Sequence, residues 1–233
     1  MPARRTARER VRAEITREIT DIARAQLAAD GAAALSLRAV AREMGMVSSA
    51  IYRYFASRDD LLTALIIDGY NAIGQAVEDA DAGCRPDDYP GRWRATCRAA
   101  RAWAVAHPHE YALIYGSPVP GYQAPQATIG PAARSAIVLG RLVSDAFAAG
   151  ALAPGGDMPP MPNGLAQDAS RLRDSVLPEV PDEVVIAALT AWAGVFGLIS
   201  FELFGQFNNV ITDTAGYFDR GLADLGRLVG FAP

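Results

Sequence analysis

Apolar residues recur along this chain at intervals of three and four, and no useful stretch alternates apolar with polar as a half-buried strand does. Val11, Ile15, Ile22 and Leu27 mark a first amphipathic helix that ends near Asp30-Gly31. Ser36 is placed to cap a short helix over Leu37 to Met44, which Gly45 breaks. A third short helix is expected from Ser49 to Phe55. Ser57-Arg-Asp-Asp60 has capping-box spacing, with Asp for the usual Glu, and launches a long helix through Leu61, Leu65, Ile66 and Ile73. Further helices are predicted over Pro90 to His107, His109 to Tyr115, Pro131 to Ala149, Leu165 to Leu177, Asp182 to Asn208 and Asp213 to Val229. Two Pro/Gly-rich connections, at 116–125 and 153–164, cannot continue a helix and are expected to be exposed, the second to be disordered. The expected fold is all-α.

The run GMVSSAIYRYF, 45–55, has few large aliphatics to bury. A short helix, a Gly-containing turn and another short helix form the layout of a helix-turn-helix. At about 100° per residue, Ile51 and Phe55 point one way, Ser49 and Arg53 roughly the other, and Tyr52 and Tyr54 lie on the flanks. The outward face is therefore polar and cationic, a property shared by many plain surface helices.

Charge sharpens that picture. The whole chain of 233 residues has a net charge of −4, yet residues 1 to 60 hold eleven Arg against eight acids, and the rest carries −7. Lysine is absent, which reads first as a coding bias, although Arg also suits bidentate contacts to phosphate and guanine. A DNA-architectural protein would be basic throughout. Cys84 and Cys97 form neither a CxxC pair nor a disulfide framework, so a reduced cytoplasmic chain is expected. The N-terminus is basic without an apolar core segment, unlike a secretory signal, and is expected to be a solvated arm that grazes DNA.

Enzyme signatures are missing: no GxSxG, P-loop, GxGxxG after a strand, or HExxH. His107 and His109, with Glu110, could be imagined as a metal pair, but the proline between them makes them a helix terminus and the next cap region. No metal and no cofactor is expected. Val184 to Phe201 runs eighteen residues without a charge, the lower limit for a membrane span. It has acids at both ends and no Lys or Arg anchor, so a helix buried between subunits is expected instead. Ala187, Ala191, Gly194 and Leu198 fall on one side of it as a ridge suited to a close neighbouring backbone, and Val185, Leu189, Trp192, Phe196 and Ile199 on the other. The ridge is assigned to a homodimer interface, with packing on the final helix of the same chain as the alternative.

The run LSLRAVAREMGMVSSAIYRYFASRDDLLTALI, 35–66, closely resembles the N-terminal signature of TetR-family transcriptional regulators. HPHEYALIYGSP at 107–118 and AWAGVFGLISFELFGQF at 191–207 are similar to one subgroup of the family's ligand-binding domains. The resemblance implies a three-helix DNA-binding domain over residues 1–57 and a larger helical dimerisation and ligand-binding domain over 58–233. It implies that Ser36, Tyr52 and Arg58 meet phosphates, and that Arg38, Ser48, Ser49, Ala50 and Arg53 face base edges. The family usually has Ser, Thr or Ala where Val47 stands; valine cannot cap, so Ser48 is expected to cap one residue later. The implied function is a homodimeric repressor that binds double-stranded operator DNA and is released by a small apolar or aromatic effector. A regulator without an effector and a small helical enzyme are the alternatives. Trp103, Tyr111, Tyr115, Trp192 and Phe196, with Tyr122 from the first loop, are the candidate pocket residues.

Overall fold

The computed structural model describes residues 6–153 and 160–231, and its regular elements among these are all helical. They are α1 (Ala7–Asp30), α2 (Leu37–Glu43), α3 (Ser48–Ile51), α4 (Arg58–Ala82), α5 (Tyr89–Ala106), α6 (Pro108–Tyr115), α7 (Ile129–Ala148), α8 (Asn163–Val176), α9 (Asp182–Leu203) and α10 (Thr214–Val229). They pack as two compact units, residues 1–70 with 107–131 and residues 71–106 with 132–233. The first unit thus exceeds the segment 1–57 expected to read DNA, by the front of α4 and the stretch containing α6.

In the first unit, α1 begins with a reciprocal capping box: the Glu9 amide donates to Thr6 Oγ1 at 3.2 Å and the Thr6 amide to Glu9 Oε2 at 2.8 Å. The basic arm is therefore helical from Ala7; its first five residues lie outside the described ones. Gly31, at φ 77°, ends α1, and a 3-10 turn over Ala32–Ala34 leads to Ser36, whose hydroxyl accepts from the Ala39 amide. Gly45, at φ 66°, makes the turn after α2. Ile19, Val40, Ile51, Leu61 and Leu62 are fully buried in one core that fixes α2 and α3 against α1 and α4. Ser57 Oγ accepts from the Asp60 amide at the start of α4, as the spacing predicts.

In the second unit, α10 lies along α9 through small residues. A methyl added at Gly194 would meet Leu225 at 2.7 Å, and one at Gly221 would meet Leu198 at 2.6 Å. Ala191 is 0% exposed. The expected dimer ridge is corrected here: Gly194 and Leu198 pack within the subunit on the final helix and Ala191 is wholly covered by its own chain, because residues without bulk let two backbones of one chain approach closely. Ala187 on the same ridge is half-buried. α9 also stops at Leu203 rather than Asn208: Gly205, at φ 79°, closes it, with the Gln206 amide donating back to the Phe201 carbonyl. Of the second Pro/Gly loop, residues 154–159 lie outside the described ones, and α8 begins at Asn163.

Candidate nucleic-acid interface

α3 is a single turn, shorter than the Ser49 to Phe55 helix the pattern predicts. Its last residues tighten into i to i+3 bonds, with the Arg53 amide donating to the Ala50 carbonyl at 3.2 Å and the Tyr54 amide to the Ile51 carbonyl at 2.9 Å. Val47 takes the N-cap position with no side-chain cap, and Ser48 is the first helical residue. Ser48 therefore does not cap, contrary to expectation, and is exposed beside Ser49.

Arg38, Ser48, Ser49 and Arg53 are exposed, Tyr52 is 44% exposed, and Ser36 and Ala50 are half-buried. Arg38 and Arg53 have no ion pair or hydrogen bond from their guanidinium groups among the described residues. Tyr54 packs against the unit's core. Val47 is 72% exposed at the leading end of α3, an apolar tip on a polar face.

Arg58 has other work. Its guanidinium donates to the carbonyls of Ala32 at 2.8 Å, Leu35 at 3.2 Å and Ala33 at 3.3 Å, all in the turn that leads into Ser36. This geometry makes Arg58 a brace for the start of α2. Arg12 is the residue that sequence reasoning missed: it donates to the Arg53 carbonyl at 2.9 Å and lies over the Tyr54 ring at 5.2 Å, tying the end of α3 to α1. Nothing in the sequence separates Arg12 from Arg8, Arg10 or Arg17 on the same helix. Thr6 and Glu9, by contrast, carry a capping-box spacing that was open to reading.

The pocket candidates are divided between the units. Tyr111 is wholly buried in the first, with Tyr115 5.0 Å away and Tyr70 edge-on to Tyr115 at 5.8 Å. Burial pushes the hydroxyl pKa values of Tyr115 and Tyr70 up. Tyr122 hydrogen-bonds Thr63 at 2.9 Å. In the second unit Trp103 is half-buried, and Trp192 and Phe196 are in ring contact at 5.1 Å. Phe196 borders a void of only about 10 Å³, whereas Trp192 lines an open-mouthed cavity of about 240 Å³ among α7, α8 and α9. His107 takes the N-cap position of α6 and His109 is exposed in its first turn; no cluster of metal-ligating side chains occurs among the described residues.

With that geometry in view, residues 19–65 match the family described as bacterial regulatory proteins, tetR family, and residues 93–225 the tetracyclin repressor-like C-terminal domain. The chain is 41% identical over 218 residues to the HTH-type transcriptional regulators Rv1816 of Mycobacterium tuberculosis (strain ATCC 25618 / H37Rv) and Mb1846 of Mycobacterium bovis, covering 93% of this chain and 91% of theirs. Among solved structures, the crystal structure of the regulatory protein SCO4313 is 36% identical with a TM-score of 0.78, over 94% of this chain and 98% of that one. A tetR-family regulatory protein from Rhodococcus RHA1 shares the fold at 20% identity and a TM-score of 0.63, over 94% and 98%.

Proposed function

The chain belongs to the TetR family of bacterial transcriptional regulators, and on that premise we propose that it is a cytoplasmic homodimeric repressor of a palindromic operator, released by a small apolar or aromatic effector. It is a DNA-binding regulator and not an enzyme. The observation that carries the finer reading is the outward face of α3, where Arg53, Ser48 and Ser49 are exposed on a turn braced from behind by Arg12. Arg38, Ser48, Ser49, Ala50 and Arg53 face base edges in this reading, and Ser36 and Tyr52 meet phosphates. Arg58 also fixes the turn before Ser36, and in this reading meets a phosphate as well.

A palindrome needs two readers at fixed separation. The surface that supports a two-fold contact is a flank of α9 about 90° around the helix from the ridge that meets α10. Thr190, Ala193, Gly197, Phe201 and Phe204 follow one another along it at helical spacing; Phe201 is 52% exposed, and a methyl at Gly197 would meet nothing. α9 is long and apolar enough to cross a membrane by length and composition, and only 33% of its most apolar window is buried. A second subunit covering this face accounts for both facts. Gly197→Arg is the direct test, because the open space lets the subunit fold while a charge enters the contact. Sedimentation is expected to show a folded monomer with weakened operator binding. A mutant that remains dimeric and binds normally, or wild-type protein recovered only in membranes, defeats the proposal.

A further inference from the structure

Val47 is out of place twice over. No large apolar side chain among the described residues is more exposed: 72% of it faces solvent, against 8% or less for Ile51, Phe55 and the rest of the core beneath α3. It also takes the N-cap position of α3 in extended backbone, at φ −66° and ψ 135°, where a short oxygen-bearing side chain accepts an amide and valine offers no oxygen. A serine in extended backbone does accept at the start of α2, where Ser36 answers the Ala39 amide. Burial therefore does not explain the valine, and capping opposes it. An isolated exposed apolar residue ordinarily needs no account. This one adjoins the exposed Ser48 and Ser49 on the face assigned above to DNA, and a residue that breaks a local folding rule without a packing gain marks a choice made for function.

The chemistry of the opposing surface narrows the role. Base edges in the major groove present hydrogen-bonding groups, with one apolar exception, the C5-methyl group of thymine. Valine can donate to neither a base nor a phosphate, and gains free energy only by taking apolar surface out of water. In helix-turn-helix docking the residues at the front of the second helix reach the base edges. We propose that Val47 is a specificity-determining residue that packs its methyl groups on the C5-methyl of a thymine in each operator half-site. Cytosine carries only hydrogen at C5 and leaves the valine facing water, so the contact favours T·A over C·G at that position. The role rests on the operator reading above, and adds to it a contact that Arg53 and the two serines cannot supply by hydrogen bonding.

Selection from a pool of random duplexes with the full-length protein supplies the operator, and each of its thymines is then replaced in turn by deoxyuridine, which removes only the methyl group. One thymine per half-site is expected to respond, with wild-type binding weakened about fourfold when one half-site is changed and about fifteenfold when both are, as burial of one methyl in each allows. Val47→Ser is expected to bind the thymine and deoxyuridine operators equally. It should also fold at least as stably as the wild type, because serine supplies the missing cap, so its indifference cannot come from a damaged fold. Val47→Ala, which withdraws both γ-methyls and adds no hydroxyl, is expected to lose the preference likewise. Two results overturn the inference and leave DNA reading by α3 intact: no thymine whose methyl matters to the wild type, or a methyl preference that survives in both variants and so belongs to Ala50 or another residue. A pool from which no sequence is enriched defeats the operator reading itself, and the role of Val47 with it.

Discussion

In the second unit Arg92, Arg98, Arg101 and Arg134 each grip a carboxylate with two nitrogens, on Asp81, Asp219, Glu202 and Glu78 respectively. In the first, Arg38 and Arg53 leave their guanidinium groups to solvent, while Arg12 and Arg58 bond backbone carbonyls. One residue type therefore serves two purposes, and the placement of acids decides which. Where a carboxylate stands opposite, the fork is occupied and structural. Where acids are sparse, the cation stays hydrated and available to phosphate or to a guanine edge.

Breaking the most buried of these pairs is the strongest test of the contrast. Arg92 is almost wholly buried and also reaches Asp145 at 3.0 Å; Arg92→Ala strands Asp81 and is expected to cost about 3 to 5 kcal/mol. Chemical denaturation checks this, and a loss under 1 kcal/mol would show the pair to be ornamental. Arg53→Ala is the mirror image, expected to leave unfolding unchanged and to weaken operator binding by about 1 to 3 kcal/mol. Gel-shift titration on operator and scrambled DNA reads it, and equal losses on both would move Arg53 from base to phosphate.

Glu202 comes next. The hydrogen bonds from Arg101 hold its carboxyl below the ordinary 4.5, so its stabilising effect is complete above that value and fades as the pH falls through the depressed one. Glu202→Gln is expected to lose about 1 to 2 kcal/mol near neutrality and to flatten the acid limb of a stability-against-pH curve; an unchanged acid limb would refute the assignment. Arg98→Ala should do least, about 0.2 to 1 kcal/mol, since both members of its pair with Asp219 are about half-exposed to water.

Much of this was legible before any coordinates. Ser36, Ser57 and Asp213 mark helix starts because a short side-chain oxygen answers a free amide, and all three do so here. Gly31 and Gly45 mark ends because they adopt positive φ at little cost. The small ridge on α9 was legible as a site of close approach, but small residues do not say whose backbone approaches, and it proved to be α10's. The brace that Arg58 forms was not legible for a related reason: a guanidinium suits a carbonyl as well as a phosphate, and the path of the Ala32–Leu35 turn brings the carbonyls to it. Of the cavity among α7, α8 and α9, Trp192 was marked as a pocket candidate, but Leu139, Leu172 and Val176, which line it from α7 and α8, carry no signal that sets them apart from any other core residue.

The brevity of α3 limits how its specificity can be moved elsewhere. Four residues cannot nucleate a helix in water, where isolated segments shorter than about 12 to 15 residues are marginal. Ile51 and Phe55 below it and Arg12 beside it supply the order it lacks. A synthetic peptide spanning the turn would be expected to show no helical circular dichroism and no sequence preference. Exchanging Arg38, Val47, Ser48, Ser49, Ala50 and Arg53 into a relative that keeps the same supports would be expected to carry the preference across. Reading DNA is here a property of the scaffold, and only the choice of sequence is portable.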